Sequence, residues 1–136
     1  MVIFLRAVVR DGTDPISLNI NDLRQPLRFP LAANLTINLS VENSSGVPVD
    51  ITSGVITMTV RKNLSDYTAV LVKVAQLVGR DTRRGKATID FASIDTDALT
   101  PGTYFYDLVR TSGLPGAARE VLIQVSPLYL ESAGSR

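Results

Sequence analysis

Val49-Asp50-Ile51-Thr52-Ser53-Gly54-Val55-Ile56-Thr57-Met58-Thr59-Val60-Arg61 reads as a turn followed by a strand. Asp50, Ser53 and Gly54 are turn formers: short polar side chains bond nearby backbone, and glycine reaches left-handed angles. Beyond Gly54, Ile56, Met58 and Val60 alternate with Thr57, Thr59 and Arg61. Successive side chains of a strand leave on opposite faces, so this period places one face on a core and the other in water.

The same pattern recurs on both sides. Leu35, Ile37, Leu39 and Val41 alternate with Thr36, Asn38, Ser40 and Glu42, the cleanest period-2 signal in the chain, and Asn43–Gly46 closes it with a turn. Ala87, Ile89 and Phe91 form another strand. Tyr104, Tyr106 and Leu108 oppose Phe105, Asp107 and Val109, and Val121, Ile123 and Val125 share a face of the last strand, which Pro127 ends. Val2–Val9 is apolar without clean alternation, which suggests that both faces are covered. Asp11–Pro15 is a turn, and Ile16, Leu18 and Ile20 alternate as a second strand that can form a hairpin with the first. Ser93–Leu99 is a short crossing with room for one helical turn. The sum is seven to nine short strands without a long helix, the pattern of an all-β, antiparallel sandwich with immunoglobulin-like topology. The chain has no cysteine and no tryptophan, which excludes an antibody-type domain.

Two stretches carry more apolar surface than one sandwich face needs. Pro26 and Pro30 bar a regular helix or central strand in 21–34, yet Leu23, Leu27, Phe29 and Leu31 keep it apolar. It reads as an extended arm packed on this domain or on a neighbour. Tyr67–Val78 is apolar on both phases: Val70, Val72 and Val74 on one, and Ala69, Leu71, Ala75 and Leu77 on the other, interrupted by Lys73. One face fills the sandwich. The other awaits either a partner or the arm itself. The expected division is 1–34 as N-terminal strands and docking arm, 35–126 as the sandwich, and 127–136 as a tail containing Leu128, Tyr129 and Leu130.

Composition bounds the chemistry. At 136 residues and a net charge of +1, the chain is one domain without a strong field toward nucleic acid or membrane, and neither is expected as a partner. The absence of histidine removes the usual general base, and that of cysteine removes thiolate ligands and disulfides. No signal peptide is read at Met1–Arg6. Arg80, Arg83, Arg84 and Lys86 cluster at one loop, either as a contact for phosphate or an acidic protein surface or as a solvated hairpin tip. Asp90, Asp95 and Asp97 match no calcium loop and read as caps and strand ends. Tyr104 and Tyr106 read as core and corner packing, with a hydroxyl bonded to backbone, rather than a sugar-stacking surface. No catalytic, cofactor-binding or metal-binding residue is expected.

Val49–Lys62 resembles the turn, alternating strand and closing arginine of small immunoglobulin-like domains in tailed-phage virion proteins. Gly85–Phe91, the run Asp95-x-Asp97-x-Leu99-x-Pro101-Gly102-Thr103-Tyr104-x-Tyr106-Asp107-Leu108, and the strand Arg119–Val125 continue the likeness over about Leu35–Val125. Such domains occur in upper-baseplate, tail, head-fibre and capsid-surface proteins. The resemblance implies a non-enzymatic virion structural protein, assembled in the host cytoplasm. It implies multiple symmetric copies bound to other virion proteins of capsid, tail or fibre. The candidate partner-binding residues are Leu23, Leu27, Phe29, Leu31, Arg80, Arg83, Arg84, Leu128, Tyr129 and Leu130. A carbohydrate-binding adhesion module is the alternative, and it requires exposed aromatics on a wet face.

Overall fold

The computed structural model describes residues 2–9, 25–43, 45–77, 79–111 and 119–132. The expected turn at 11–15, the strand at 16–20, Leu23, and the loop at 112–118 lie outside the described residues.

Among the described residues eight strands make two sheets: β1 (Val2–Val9), β2 (Leu27–Pro30), β3 (Leu35–Asn43), β4 (Val55–Arg61), β5 (Leu71–Val74), β6 (Lys86–Phe91), β7 (Gly102–Thr111) and β8 (Arg119–Glu131). A 3₁₀ turn at Thr82–Arg84 precedes β6, and the four-residue helix α1 (Ser93–Thr96) follows it. The smaller sheet has the order β1-β3-β6 and the larger β2-β8-β7-β4-β5. The all-β sandwich is as the alternation requires. In β3, Leu35, Ile37, Leu39 and Val41 are buried, and in β4 Ile56, Met58 and Val60 are buried, against half-exposed partners on the opposite phase.

Two ladders correct the expected antiparallel arrangement. β1 runs parallel to β3, and β2 runs parallel to β8. Residues 27–30 of the arm and 127–131 of the tail are therefore in strands of the sandwich. Leu27 pairs with Leu128 and Phe29 with Leu130, and all four side chains are buried in the core with Leu31. The Phe29 ring meets Phe91 of β6 at 5.5 Å between centroids, so the arm joins the two sheets. Each such side chain contributes roughly 1.5–3 kcal/mol by leaving water. The prolines fit because among the described residues β2 is an edge strand, where a missing N–H costs no ladder bond.

β1 also departs from expectation. Leu5 and Ala7 are buried, but Phe4 is 80% exposed, so the outer face is open at Phe4 and closes again only at Val8. β5 is shorter than the apolar run suggested. It pairs with β4 from Leu71 to Val74, then crosses to the other sheet, where Gln76 N–H donates to Thr88 O (2.7 Å) and Thr88 N–H donates to Gln76 O (3.2 Å). Gly85 (φ 74°) makes the neighbouring corner close. Val41 N–H donates to Gly85 O (2.8 Å), and a Cβ on Gly85 would sit 2.2 Å from Val41 O.

Candidate functional site

Directly opposed residues of neighbouring strands share a sheet face. On the outside of the larger sheet the register therefore sets three rows. They are Val74–Thr57–Val109, Val72–Thr59–Asp107 and Arg61–Phe105, the last continued by Pro127 of β8. Arg61 and Asp107 form an ion pair at 3.6 Å across these rows. The loop after β4 rises over their end. Asp66 Oδ2 accepts from Asn63 N–H (3.0 Å) and Asn63 O accepts from Asp66 N–H (3.2 Å), closing a tight turn. That turn holds Leu64 65% exposed, and Tyr67 beyond it has full exposure at 101%. A pocket of about 230 Å³ lies beneath, lined by Arg61, Leu64, Asp66, Tyr67, Phe105, Tyr106 and Val125.

Along the edge, Val72 is 53% and Val74 60% exposed, while Lys73 turns inward. The alternation of 67–78 thus splits the opposite way from a core-facing valine row: the valines face water and the lysine is tucked in. Lys73 Nζ lies 3.0 Å from an Asp95 oxygen and 5.7 Å from the Phe91 ring centroid. The Lys73 ammonium, then the Ala92 N–H, hold the Asp95 carboxyl below its usual pKa. Residues 25–34 do not cover these valines, because β2 and β5 are opposite edges of the sheet. The combination is an apolar sheet face with internally paired charges, suited to protein contact through apolar burial and edge pairing.

A second face is wet. On the outside of the smaller sheet, Phe4, Asn38 and Thr88 form one row, and Arg6, Ser40 and Lys86 the next. Depressions of about 290 and 190 Å³ flank Phe4. Lys86 Nζ donates to Ser40 Oγ (2.6 Å), Arg80 Nε donates to Thr88 Oγ1 (3.0 Å), and Arg6 pairs with Glu42.

The candidate residues fall into three groups. Leu27, Phe29, Leu31, Leu128 and Leu130 are core residues, which corrects their assignment as partner-binding: their apolar area is spent within the chain. Tyr129 lies half-buried outside, with the Arg28 guanidinium 4.7 Å from its ring centroid, and Arg28 also pairs with Glu131 at 3.0 Å. Arg80, Arg83 and Arg84 are exposed. Arg80 joins Phe4 and Lys86 around one depression, and Arg84 approaches Asp81 at 3.6 Å. Arg83 lies among the charges that, after two hydrogen bonds from Thr52, hold the Asp50 carboxyl below its usual pKa. Thr36 Oγ1 donates to Asp90 Oδ1 (2.8 Å) and Ala92 N–H to Asp95 Oδ2 (2.8 Å), so both carboxylates act structurally. Tyr104 O–H donates to Thr100 O (2.9 Å), the corner contact expected of it. Leu64, Tyr67 and Phe4 are exposed contact residues that strand alternation alone does not mark. The available signal was Leu64 and Tyr67 standing apolar in a polar loop.

No protein-family model and no curated protein sequence matches the chain. Among solved structures it is similar to the N-terminal domain of ORF48 of phage TP901-1, with a TM-score of 0.53 at 11% identity over 96% of this chain and 98% of that one. At that identity the likeness is one of fold.

Proposed function

We propose that the chain is a non-enzymatic structural protein of a tailed-phage virion. It is an immunoglobulin-like module that binds other virion proteins as a capsid-decoration, fibre-anchoring or tail and baseplate component. The observation that carries this reading is the full-length fold likeness to a phage domain, in a chain with no histidine or cysteine for catalysis. The order β8-β7-β4-β5 and the Tyr104 corner support the immunoglobulin-like type, and the parallel β1 departs from it. The binding surface is the outer face around Leu64, Tyr67, Phe105 and Val125, an apolar patch with a paired-charge rim. Mass spectrometry of gradient-purified virions from a host carrying the gene tests the role. The chain is expected in the particles at a fixed ratio to the coat protein, and its absence from them overturns the reading.

Phe4 favours a second reading, a carbohydrate-binding adhesion module, because it is an exposed aromatic on a polar face bearing Asn38, Arg80 and Lys86. A glycan array decides it: binding that Phe4→Ala abolishes supports adhesion, and a blank array removes it.

A further inference from the structure

The β5 edge is open in a specific way. Ala75 N–H donates to Ile56 O (2.9 Å), and bonded pairs alternate along an antiparallel ladder. Met58–Lys73 is therefore a bonded pair of this register, and beyond it Val60 O accepts from Val70 N–H (2.8 Å), so Val70 turns its N–H to β4. Val72 and Val74 turn their N–H and C=O groups away from β4, toward the side where no strand lies among the described residues. The next residue of that phase, Gln76, is already committed to Thr88. The free edge is thus confined to Val72–Val74.

We infer that this edge pairs with the same edge of a second copy of the chain, antiparallel about a two-fold axis at Lys73. Val72 then faces Val74 of the other copy, and both valines place all their peptide groups in hydrogen bonds. The outward side chains meet as β-branched cross-strand pairs. The axis brings the two Lys73 residues opposite each other, where bare ammonium groups repel. Each, however, carries its own counter-ion in Asp95 at 3.0 Å. The nearest charges of the outer face, Arg61 and Asp107, are also paired with each other at 3.6 Å, so the edge carries no net sign. A partner of opposite charge has nothing here to read. Closed two-fold pairing is the commonest symmetry among homo-oligomers. So short an edge makes a small interface, weaker than about 1 µM for an isolated pair. The self-pairing stands apart from the virion role, since it is read on the purified chain alone.

Sedimentation equilibrium of the full chain, followed up to about 1 mM, tests it. The mass is expected to rise with concentration from 14.7 kDa toward twice that value. The exposed double substitution Val72→Lys/Val74→Lys is expected to weaken association at least about tenfold, because it sets uncompensated charges face to face, while leaving the circular dichroism unchanged. Asp95→Asn is expected to weaken it by exposing Lys73 to its image, and adding Lys73→Met to restore it. A chain that stays monomeric at about 1 mM, or a dimer indifferent to Val72→Lys/Val74→Lys, overturns the inference.

Discussion

The phenol of Tyr106 donates a hydrogen bond to the backbone oxygen of Gln25, 81 residues earlier in the chain. Gln25 N–H in turn donates to Ser126 Oγ (2.9 Å), and its side-chain amide donates to Arg6 O. One residue just before β2 therefore fastens β7, β8 and β1. Burial pushes the Tyr106 hydroxyl well above its ordinary pKa of 10.0. The unfolded chain releases that proton first, so this group's contribution is intact below about pH 10 and falls as pH rises further. Tyr106→Phe is expected to cost about 1–2 kcal/mol at pH 7, from the bond and the acceptor left behind. That deficit shrinks above about pH 10, where the phenylalanine has no proton to lose. Urea melts at pH 7 and pH 11 check both halves.

Gly85 is where the corner between β3, the 3₁₀ turn and β6 closes, at φ 74° with Val41 O 2.2 Å from an added Cβ. Gly85→Ala is expected to destabilise by about 3 kcal/mol or more, since left-handed backbone strain adds to a clash with a carbonyl that cannot turn aside. Thermal denaturation measures it. Gly46→Ala is the control: at φ 82° it shares the left-handed strain but has nothing within 4 Å, so it isolates the clash and is expected to cost less.

Lys73 and Asp95 tie the edge strand to α1. Because the folded-state pKa of Asp95 is lowered, its contribution is present above the unfolded value of 3.8 and is lost as pH falls through the folded one. Asp95→Asn is expected to cost about 0.5 kcal/mol at neutral pH, the size of a solvent-screened pair. The gap between variant and parent closes in acid below the folded pKa. Denaturant melts across pH 2–7 test the direction.

Deleting residues 1–34 is expected to abolish cooperative unfolding, because it removes β1 and β2 together with Leu5, Ala7, Leu27, Phe29 and Leu31 of the core. A shortened chain that melts as sharply as its parent would return the arm to the role of a detachable docking element.

The sheets were legible where one face is wet. β3, β4, β6 and β7 alternate because each borders both core and solvent, and Ile56, Met58 and Val60 fall where the period puts them. The partners of the strands were not legible. Parallel pairing of β1 with β3 and of β2 with β8 joins residues far apart in sequence, and no local pattern encodes it. For that reason Leu27, Phe29, Leu128 and Leu130 looked like surplus apolar surface when each in fact completes the core. Gln25 left no signal, since its role lies in three partners from three strands. Of the contact surface, the valine row of 70–74 was visible as an alternation. Its outward direction depended on Lys73 finding Asp95, a residue of another element.

The proposed role has the chain dock into a phage particle through the surface around Leu64 and Tyr67. Both side chains are exposed, so Leu64→Ser/Tyr67→Ser is expected to change stability by less than about 0.5 kcal/mol. The most direct measurement is the amount of parent and of variant chain in gradient-purified particles assembled from equal soluble pools. The parent should band with the particles while the variant stays in the soluble fraction. A parent chain absent from the particles, or a variant incorporated as well as the parent, would contradict it.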